Sequence, residues 1–526
     1  MEKPQKTQEI VTKLTILVLS KSNEFYNFLK EKGDVSKFLN NKKELHQALY
    51  EFLTKRIFGG NIQSLDLERE SDIWLKHVKE DFFWKKGQIA IDYLTDGEFT
   101  GLFHYLEKDG LSQEERKKFI EDIVDFFDKY IVLADLHIHT RESDELISGY
   151  VKSKGWLNAI IKWLNPPEGY SDPKKIHKRV LKKVDFFGIA DKNKIDGSIK
   201  AIKSIGDSNP DDLKRFFINT EIGVDVEDKV HLILIYPHNP EDIYNGKKVE
   251  DLYKLHKDIL ALSNKNKVED LLKFCYKNQI KVIVAHPSTG NSRFNDYGLL
   301  HKILTFQVEN TRVIKAIETL NSTCSDFANA VNLALAKAYG MGAVGSSDSK
   351  IYSSGNAGKT YTISILNPKD IKNPNKLFEK KEAFLKDLDK GNTYSGGSFV
   401  FNFVSELYFA GTYRIAKYTL SRFLKKPNIK NLKRFAWPFG PLLAFVIPGY
   451  GLVGLAGAAI GAFLCAGILR WMGHKFVSSF TGTEERYIKM LLKGYVNSGI
   501  KPELIKYLKK SRHFKLAEYA KELSLR

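Results

Sequence analysis

The sequence predicts an α/β domain, a parallel sheet or barrel, over residues 131–397, with a helical region before it and a basic region after it. Three observations predict this. From Ile131 onward, short β-rich runs alternate with helical stretches. Ionisable residues gather at the ends of those runs, the face on which barrel enzymes assemble their sites. The charge is also uneven, because residues 398–526 hold 21 basic and 6 acidic residues, +15 of the chain's +19. A length of 526 residues exceeds one ordinary core and suggests two to four domains. With 28% charged and 12% aromatic residues, a mainly disordered chain is excluded. Cys275, Cys324 and Cys465 lie far apart without a C-x-x-C, which excludes a disulfide scaffold and a Cys-rich zinc module and favours a reducing compartment. The start, MEKPQKTQEI, has no apolar signal core, so the bulk of the chain is expected in the cytosol.

Residues 1–130 read as a helical domain. EFYNFLKEK, LHQALYEFLTKRIF and SQEERKKFIEDIVDFFDKY repeat apolar residues every three or four positions, and GGNIQ and LTDGEFTG punctuate them. Ser112 followed by Glu115 predicts a capping box at the start of the last helix. No residue here points to chemistry, and a solvated helical face over a core is the simpler reading of DFFWKKG than a docking surface.

The strand runs that follow are IVLADLHIHT, VDFFGIADKN, FFINTEIGVDV, VHLILIYP, KVIVAHP, VIKAIETLN and GAVGSSDS. The first ends in His137-Ile138-His139. Alternate side chains of a strand share a face, so this pair can grip one metal ion. Alone the spacing is weak, and a lone histidine at a strand end is usually a structural group. Here, however, Ser143-Asp144, Asp191, Glu221, His231, His286 and Asp348 occupy comparable places. Four histidines and four carboxylates so placed point to a polynuclear metal site. GNAGKT at 355–360 lacks the G-x-x-x-x-G-K-[ST] spacing and opens no helix, so it is not a phosphate loop. Arg141 is a candidate phosphate contact, Ser288 and Thr289 read equally as turn residues, and Tyr236 reads as core.

The third region, 398–526, holds 35 consecutive residues, 435–469, without Asp, Glu, Lys or Arg. As one helix it would be about 50 Å long against a bilayer core of about 30 Å, and Pro448-Gly449 breaks it. Gly457 and Gly461 form a G-x-x-x-G suited to close helix packing. Seven Gly and three Pro in this stretch suit a membrane segment better than a water-soluble core helix. Both flanks are basic, with Lys425, Lys426, Lys433 and Arg434 before and Arg470 and Lys475 after. A hairpin satisfies both flanks on one side, whereas a single span does not. An anionic membrane surface is therefore the expected partner of the basic charge, and the amphipathic closing segment is expected to lie on it. Nucleic acid is possible but not favoured, because the central region lacks the surplus basic charge that tracks a backbone.

The ordered series in the central region resembles the PHP (polymerase and histidinol phosphatase) family of metal-dependent phosphoesterases. DLHIHTRESD, GIADKNKIDG, NTEIGVDV with VHLILIYP, VAHP and VGSSDSK carry the resemblance, supported by AIETLNS and GKTYTISI. It implies a distorted (β/α)7 TIM-like barrel with two or three metals at its mouth. By position, His137, His139, Glu221 and Asp348 would hold the first metal, and Glu221 would bridge to a second completed by His231 and His286. The family's third site is lost, because Lys192 and Lys350 stand where histidines are expected and only Asp144 remains. Charged lysine cannot ligate. The resemblance implies two divalent ions of Zn, Mn or Fe, with Asp348 as proton acceptor. Lys192 and Lys350, anchored by Asp144 or Asp191, would replace the third cation beside a substrate phosphate. The expected activity is a membrane-associated phosphoesterase acting on a nucleotide, a phosphorylated small molecule or a nucleic acid end. The alternative is an inactive ligand sensor coupled to the membrane segment.

Overall fold

The N-terminal residues fold as α1 (Gln5–Ser20), α2 (Ser22–Lys32), α3 (Val35–Asn40) and α4 (Lys42–Glu51), which runs into a π-helical turn at Phe52–Phe58. These assignments come from a computed structural model that describes residues 3–58, 106, 108, 110–140, 142, 143, 172–224, 230–263, 267–288, 297–322, 324, 326–349, 357–397, 502–509 and 517–521. Helix α5 (Gln113–Tyr130) begins as its sequence predicts. Ser112 Oγ accepts from the Glu115 amide, and the Glu115 carboxylate accepts from the Ser112 amide at 2.9 Å. Its Phe119, Ile120, Ile123, Phe126 and Phe127 are buried, each contributing roughly 1.5–3 kcal/mol. The helix then passes without a linker into β1 (Ile131–Ile138).

The N-terminal helices pack directly on the sheet domain. Thr7 Oγ1 donates to Asp185 Oδ2 at 2.8 Å, and the same oxygen accepts the Leu133 amide of β1 at 2.9 Å. The Gln5 amide donates to the Lys182 carbonyl at 2.8 Å.

After β1 the chain alternates: α6 (Pro173–Val180), β2 (Phe186–Ile189), α7 (Asp196–Ser208), β3 (Phe216–Val224), β4 (Val230–Ile235), α8 (Pro240–Tyr244), α9 (Val249–Leu262), α10 (Val268–Lys277), β5 (Lys281–Ala285) and α11 (Tyr297–Thr305). A two-residue hairpin, β6 (Gln307–Val308) and β7 (Thr311–Arg312), precedes β8 (Ile314–Asn321), α12 (Asp326–Tyr339), β9 (Gly342–Ser346), β10 (Thr360–Ile365), α13 (Leu377–Lys390) and β11 (Thr393–Gly397). The main sheet has the order β11-β10-β1-β2-β3-β4-β5-β8-β9.

The expected all-parallel pattern needs one correction: β4 runs antiparallel to both β3 and β5, and β10 runs antiparallel to β1 and β11. Only residues 225–229 join β3 to β4, and a parallel crossover needs a dozen or more. The seven remaining strands share one direction. The two sheet edges meet, giving a nearly closed, barrel-like sheet. Thr362 Oγ1 of β10 donates to the Gly345 carbonyl of β9 at 3.0 Å, and Thr319 Oγ1 of β8 donates to Ser395 Oγ of β11 at 2.8 Å. At the top, the His139 amide donates to the Ser349 carbonyl at 3.1 Å. A Cβ at Gly345 would lie 2.2 Å from the Tyr361 carbonyl oxygen, so this seam closes only over glycine.

The closing segment departs from expectation. Its helix α14 (Pro502–Lys509) packs on α12, and Leu504 and Leu508 are each 1% exposed, so this apolar face is spent on protein contact rather than on a membrane surface. Among the described residues no helix is long and apolar enough to cross a membrane. The uncharged stretch 435–469 lies outside the described residues, as do Arg141, Asp144, Thr289 and Lys350.

Candidate metal centre

The site forms where the strands end. Period-two alternation along β1 puts Asp135, His137 and His139 on one face, and all three are fully buried. Asp135 ties the neighbouring strand exit to β1: its carboxylate accepts from Ser347 Oγ at 2.6 Å, from the Ser347 amide at 3.1 Å and from the Gly358 amide at 2.8 Å. Burial nevertheless pushes its carboxyl up to about 6. Gly358, at φ 74°, lies in a turn leading into β10.

His286 follows β5 and Asp348 follows β9, at φ 27° and 41° respectively. Neither is glycine, so each costs on the order of 1–3 kcal/mol to hold in that region. Both strained residues aim side chains into the same space.

The six expected ligands come together there. His137 Nε2 and His139 Nε2 lie 3.0 Å apart, and Asp348 Oδ1 is 3.2 Å from His139 Nε2 and 3.7 Å from His137 Nε2. Glu221, central in β3, has Oε2 3.6 Å from His139 Nε2. Its Oε1 is 2.8 Å from His231 Nδ1, 3.3 Å from His286 Nε2 and 3.8 Å from His137 Nε2. Ligand atoms of His137, His139 and Glu221 fall within 4.8 Å of one another, and so do those of Glu221, His231 and His286. His231 joins from the start of β4 because that strand is reversed.

The residues fit metal ions. Glu221 Oε1 is buried, is surrounded by three imidazole nitrogens and makes no hydrogen bond, and His231 Nδ1 makes none either despite the 2.8 Å separation. Close together without forming a hydrogen bond, the two atoms are placed as co-ligands of one ion would be. The field agrees. Burial opposes the Glu221 carboxylate, yet His231, His137 and His286 hold it well below the usual carboxylate range. Burial likewise opposes an imidazolium at His137, yet Asp348, Glu318 and Glu221 raise it well above the ordinary histidine value. A field that stabilises an imidazolium here also stabilises a divalent cation.

Glu318, in β8, is the functional residue that sequence reasoning missed. It is fully buried, and its Oε1 lies 3.0 Å from His137 Nδ1 and also accepts from Ser346 Oγ. Oε2 accepts from the His286 amide at 2.8 Å and from Asn321 Nδ2 at 3.0 Å. Asn321 Nδ2 also donates to Asp348 Oδ2 at 3.1 Å. A carboxylate on the far nitrogen of a ligating imidazole fixes its tautomer and sharpens its basicity. Glu318 thus holds His137 and His286 directly and reaches Asp348 only through Asn321. Its signal was a carboxylate sharing the inward face of AIETLNS with Ile314, Ala316 and Leu320, where an unpartnered charge would be costly.

Asp191 and Lys192 follow β2. Both oxygens of Asp191 are occupied by Thr140, whose amide and Oγ1 each donate at 2.5 Å, so the side chain braces the loop after β1. Burial pushes its carboxyl up to about 6. Lys192 Nζ stands 3.4 Å from His231 Nε2, on the ring edge opposite Glu221. Ser143 Oγ accepts the Lys192 amide at 3.0 Å and lies 3.4 Å from His139 Nδ1. The Ser288 amide donates to Asn332 Oδ1, and Tyr236 is core, its hydroxyl bonded to His256.

No family model and no curated protein matches the chain. Among solved structures it is similar to a Bifidobacterium adolescentis protein thought to be a metal-dependent phosphoesterase, with 15% identity, 41% of this chain, 86% of that one and a TM-score of 0.25. It is also similar to an amidohydrolase from Chromobacterium violaceum, solved with sulfate and no metal, with 16% identity, the same coverages and a TM-score of 0.25. A third likeness is to Endonuclease Q, solved with a 27-mer duplex carrying an abasic lesion, with 17% identity, 44% of this chain, 52% of that one and a TM-score of 0.26. These likenesses are too slight to carry a functional reading, which rests on the geometry of the site.

Proposed function

We propose that the chain is a metal-dependent phosphoester hydrolase working with two divalent ions. The observation that carries this reading is the single carboxylate Glu221, whose orphaned Oε1 faces imidazole nitrogens of two neighbouring ligand sets. His137, His139, Glu221 and Asp348 would hold one ion, and Glu221, His231 and His286 would hold the other. Imidazole and carboxylate donors suit Zn, Mn or Fe. Bound there, two such ions would supply an acidified water and neutralisation of phosphoryl charge. Asp348, oriented by Asn321, takes the proton from the attacking water. Glu318 holds His137 and His286 in place. Lys192 supplies fixed positive charge beside His231, and Lys350 adds to it with Asp144 as the acidic anchor. The substrate is a nucleotide, a phosphorylated small molecule or a nucleic acid end.

A screen of phosphomonoesters, phosphodiesters and nucleic acid ends with Mn or Zn tests this. The wild type is expected to turn over at least one class. Asp348→Ala is expected to lose on the order of a hundredfold or more of that rate, the usual contribution of a proton acceptor. Metal-loaded wild type with no turnover on any class would leave only a binding role.

The proposal includes membrane association through the uncharged stretch 435–469. The chain leaves the sheet domain at Gly397 and returns to it in α14, within the same compact unit. A segment that enters a bilayer between those points must leave on the side it entered, which favours a hairpin over a single crossing. Flotation with anionic vesicles is expected for the full chain and not for one lacking 435–469. Equal flotation of both would reject the segment as the anchor.

A further inference from the structure

We infer that Asn329 and Asn332 of α12 are positioning residues for the metal centre, bracing the strained backbone from which His286 and Asp348 reach it. The inference rests on the metal reading above and adds what keeps its ligands in place. A non-glycine residue at positive φ persists only where its surroundings over-determine it. His286 and Asp348 are such residues, at φ 27° and 41°. Both lie just past the ends of β5 and β9, so side-chain contacts must add to what the sheet provides.

Helix α12 adds them at both places. Asn332 Oδ1 accepts the Ser288 amide at 3.0 Å, two residues after His286. Asn329 reaches the end of β8, where its Oδ1 accepts the Asn321 amide at 3.0 Å and its Nδ2 donates to the Asn321 carbonyl at 3.2 Å. The Asn321 side chain then faces the centre. Its Nδ2 donates to Asp348 Oδ2 at 3.1 Å and to Glu318 Oε2 at 3.0 Å, and that Glu318 oxygen accepts the His286 amide at 2.8 Å. Residues 329 and 332 are three apart in α12 and so share one face of it. They are 3% and 0% exposed, and the helix packs against both β8 and α14.

Two features distinguish this from ordinary packing. Asn332 Nδ2 is buried and makes no hydrogen bond. The residue therefore leaves one buried polar group unanswered while answering another, the Ser288 amide, an exchange that packing alone does not favour. Asn329, in turn, meets both backbone groups of Asn321 with one side chain, which fixes the direction of the chain there rather than a single atom. Losing Asn332 frees the Ser288 peptide, so that His286 relaxes and its ring leaves the set formed with Glu221 and His231. Losing Asn329 frees Asn321, which touches both Asp348 and Glu318, and so disturbs both ligand sets.

Calorimetric titration of the metal-free full chain with Mn tests this, with bound Mn counted at saturation and the melting temperature recorded without metal. Asn332→Leu and Asn332→Ala are each expected to weaken one of the two equivalents about tenfold or more, the usual effect of removing an outer support of a metal ligand, and to leave the other unchanged. Asn332→Asp keeps the acceptor and is expected to bind both equivalents about as tightly as wild type. Asn329→Leu is expected to weaken both. Should Asn332→Leu fail to fold, Asn332→Ala against Asn332→Asp carries the comparison. Unchanged affinity for both equivalents in the Leu and Ala variants overturns the inference, whatever their metal-free melting temperatures. Equal weakening in Asn332→Asp and Asn332→Ala also overturns it, since the acceptor would then be irrelevant. Wild type holding fewer than two Mn at saturation overturns the metal reading instead, and that is read before any variant is compared.

Discussion

Glu221→Gln is expected to reduce bound metal from two equivalents to one or fewer and turnover by on the order of a thousandfold or more. The amide keeps the shape of the side chain and loses its charge. One neutral oxygen cannot replace a carboxylate shared between two ligand sets, and water activation and phosphoryl neutralisation are lost together. The backbone of Glu221 contributes separately, since its amide donates to the Asp191 carbonyl and its carbonyl accepts from Asn193. The variant should therefore fold, with an unchanged far-UV spectrum. Metal content and turnover measured on one sample separate the readings. Loss of turnover with two metals retained would mean that Glu221 does not bridge.

Gly345→Ala is expected to cause the largest loss of stability, about 3 kcal/mol or more, and to lower the melting temperature by roughly 5–10 °C. The added methyl would meet the Tyr361 carbonyl oxygen at 2.2 Å and Ser395 Cβ at 3.1 Å, where β9 meets the far edge of the sheet. Backbone cannot rotate aside, so the seam must part and the Thr362–Gly345 hydrogen bond weakens with it. Gly206→Ala is the control. Its nearest neighbours would be atoms of the Tyr244 ring, a side chain that is 36% exposed and can shift at the cost of its hydrogen bond to Asp207, and alanine gains on the order of 1 kcal/mol over glycine in a helix. Similar melting temperatures for the two variants would show that the seam is not tight.

The contrast between these two substitutions also marks what was legible in the sequence. Chemistry at strand ends can be read from one chain, because period-two alternation puts His137 and His139 on one face whatever the rest of the fold does. The capping box at Ser112 is equally local. The reversal of β4 is a tertiary fact, yet it had a signal: the connection over 225–229 is too short for a parallel crossover. Glu318 was hidden because it sits inside a strand rather than at its end, among apolar neighbours, where a carboxylate gains meaning only from His137 and the His286 amide. The bracing of Thr140 by Asp191 has no sequence signature, since a strand-end aspartate looks the same as a ligand. The seam at Gly345 was invisible too, because a glycine in a strand announces a close approach without naming what approaches.

The composition offered a basic chain, and splitting its charge moved the excess to residues 398–526. The α14 residues Leu504 and Leu508 then take part of that region back into the protein. The uncharged 435–469 stretch and its basic flanks lie outside the described residues, and the membrane association proposed for them rests on their sequence. At the barrel mouth, Lys192 places a positive charge beside His231.

The central claim is that Glu221 joins two metal sites. It is tested most directly by counting metal in the purified wild-type chain after loading with Mn or Zn and removal of free ions, beside Glu221→Gln. Two equivalents in the wild type and one or fewer in the variant are the predicted result. One equivalent or none in the wild type, or two in both, would contradict it.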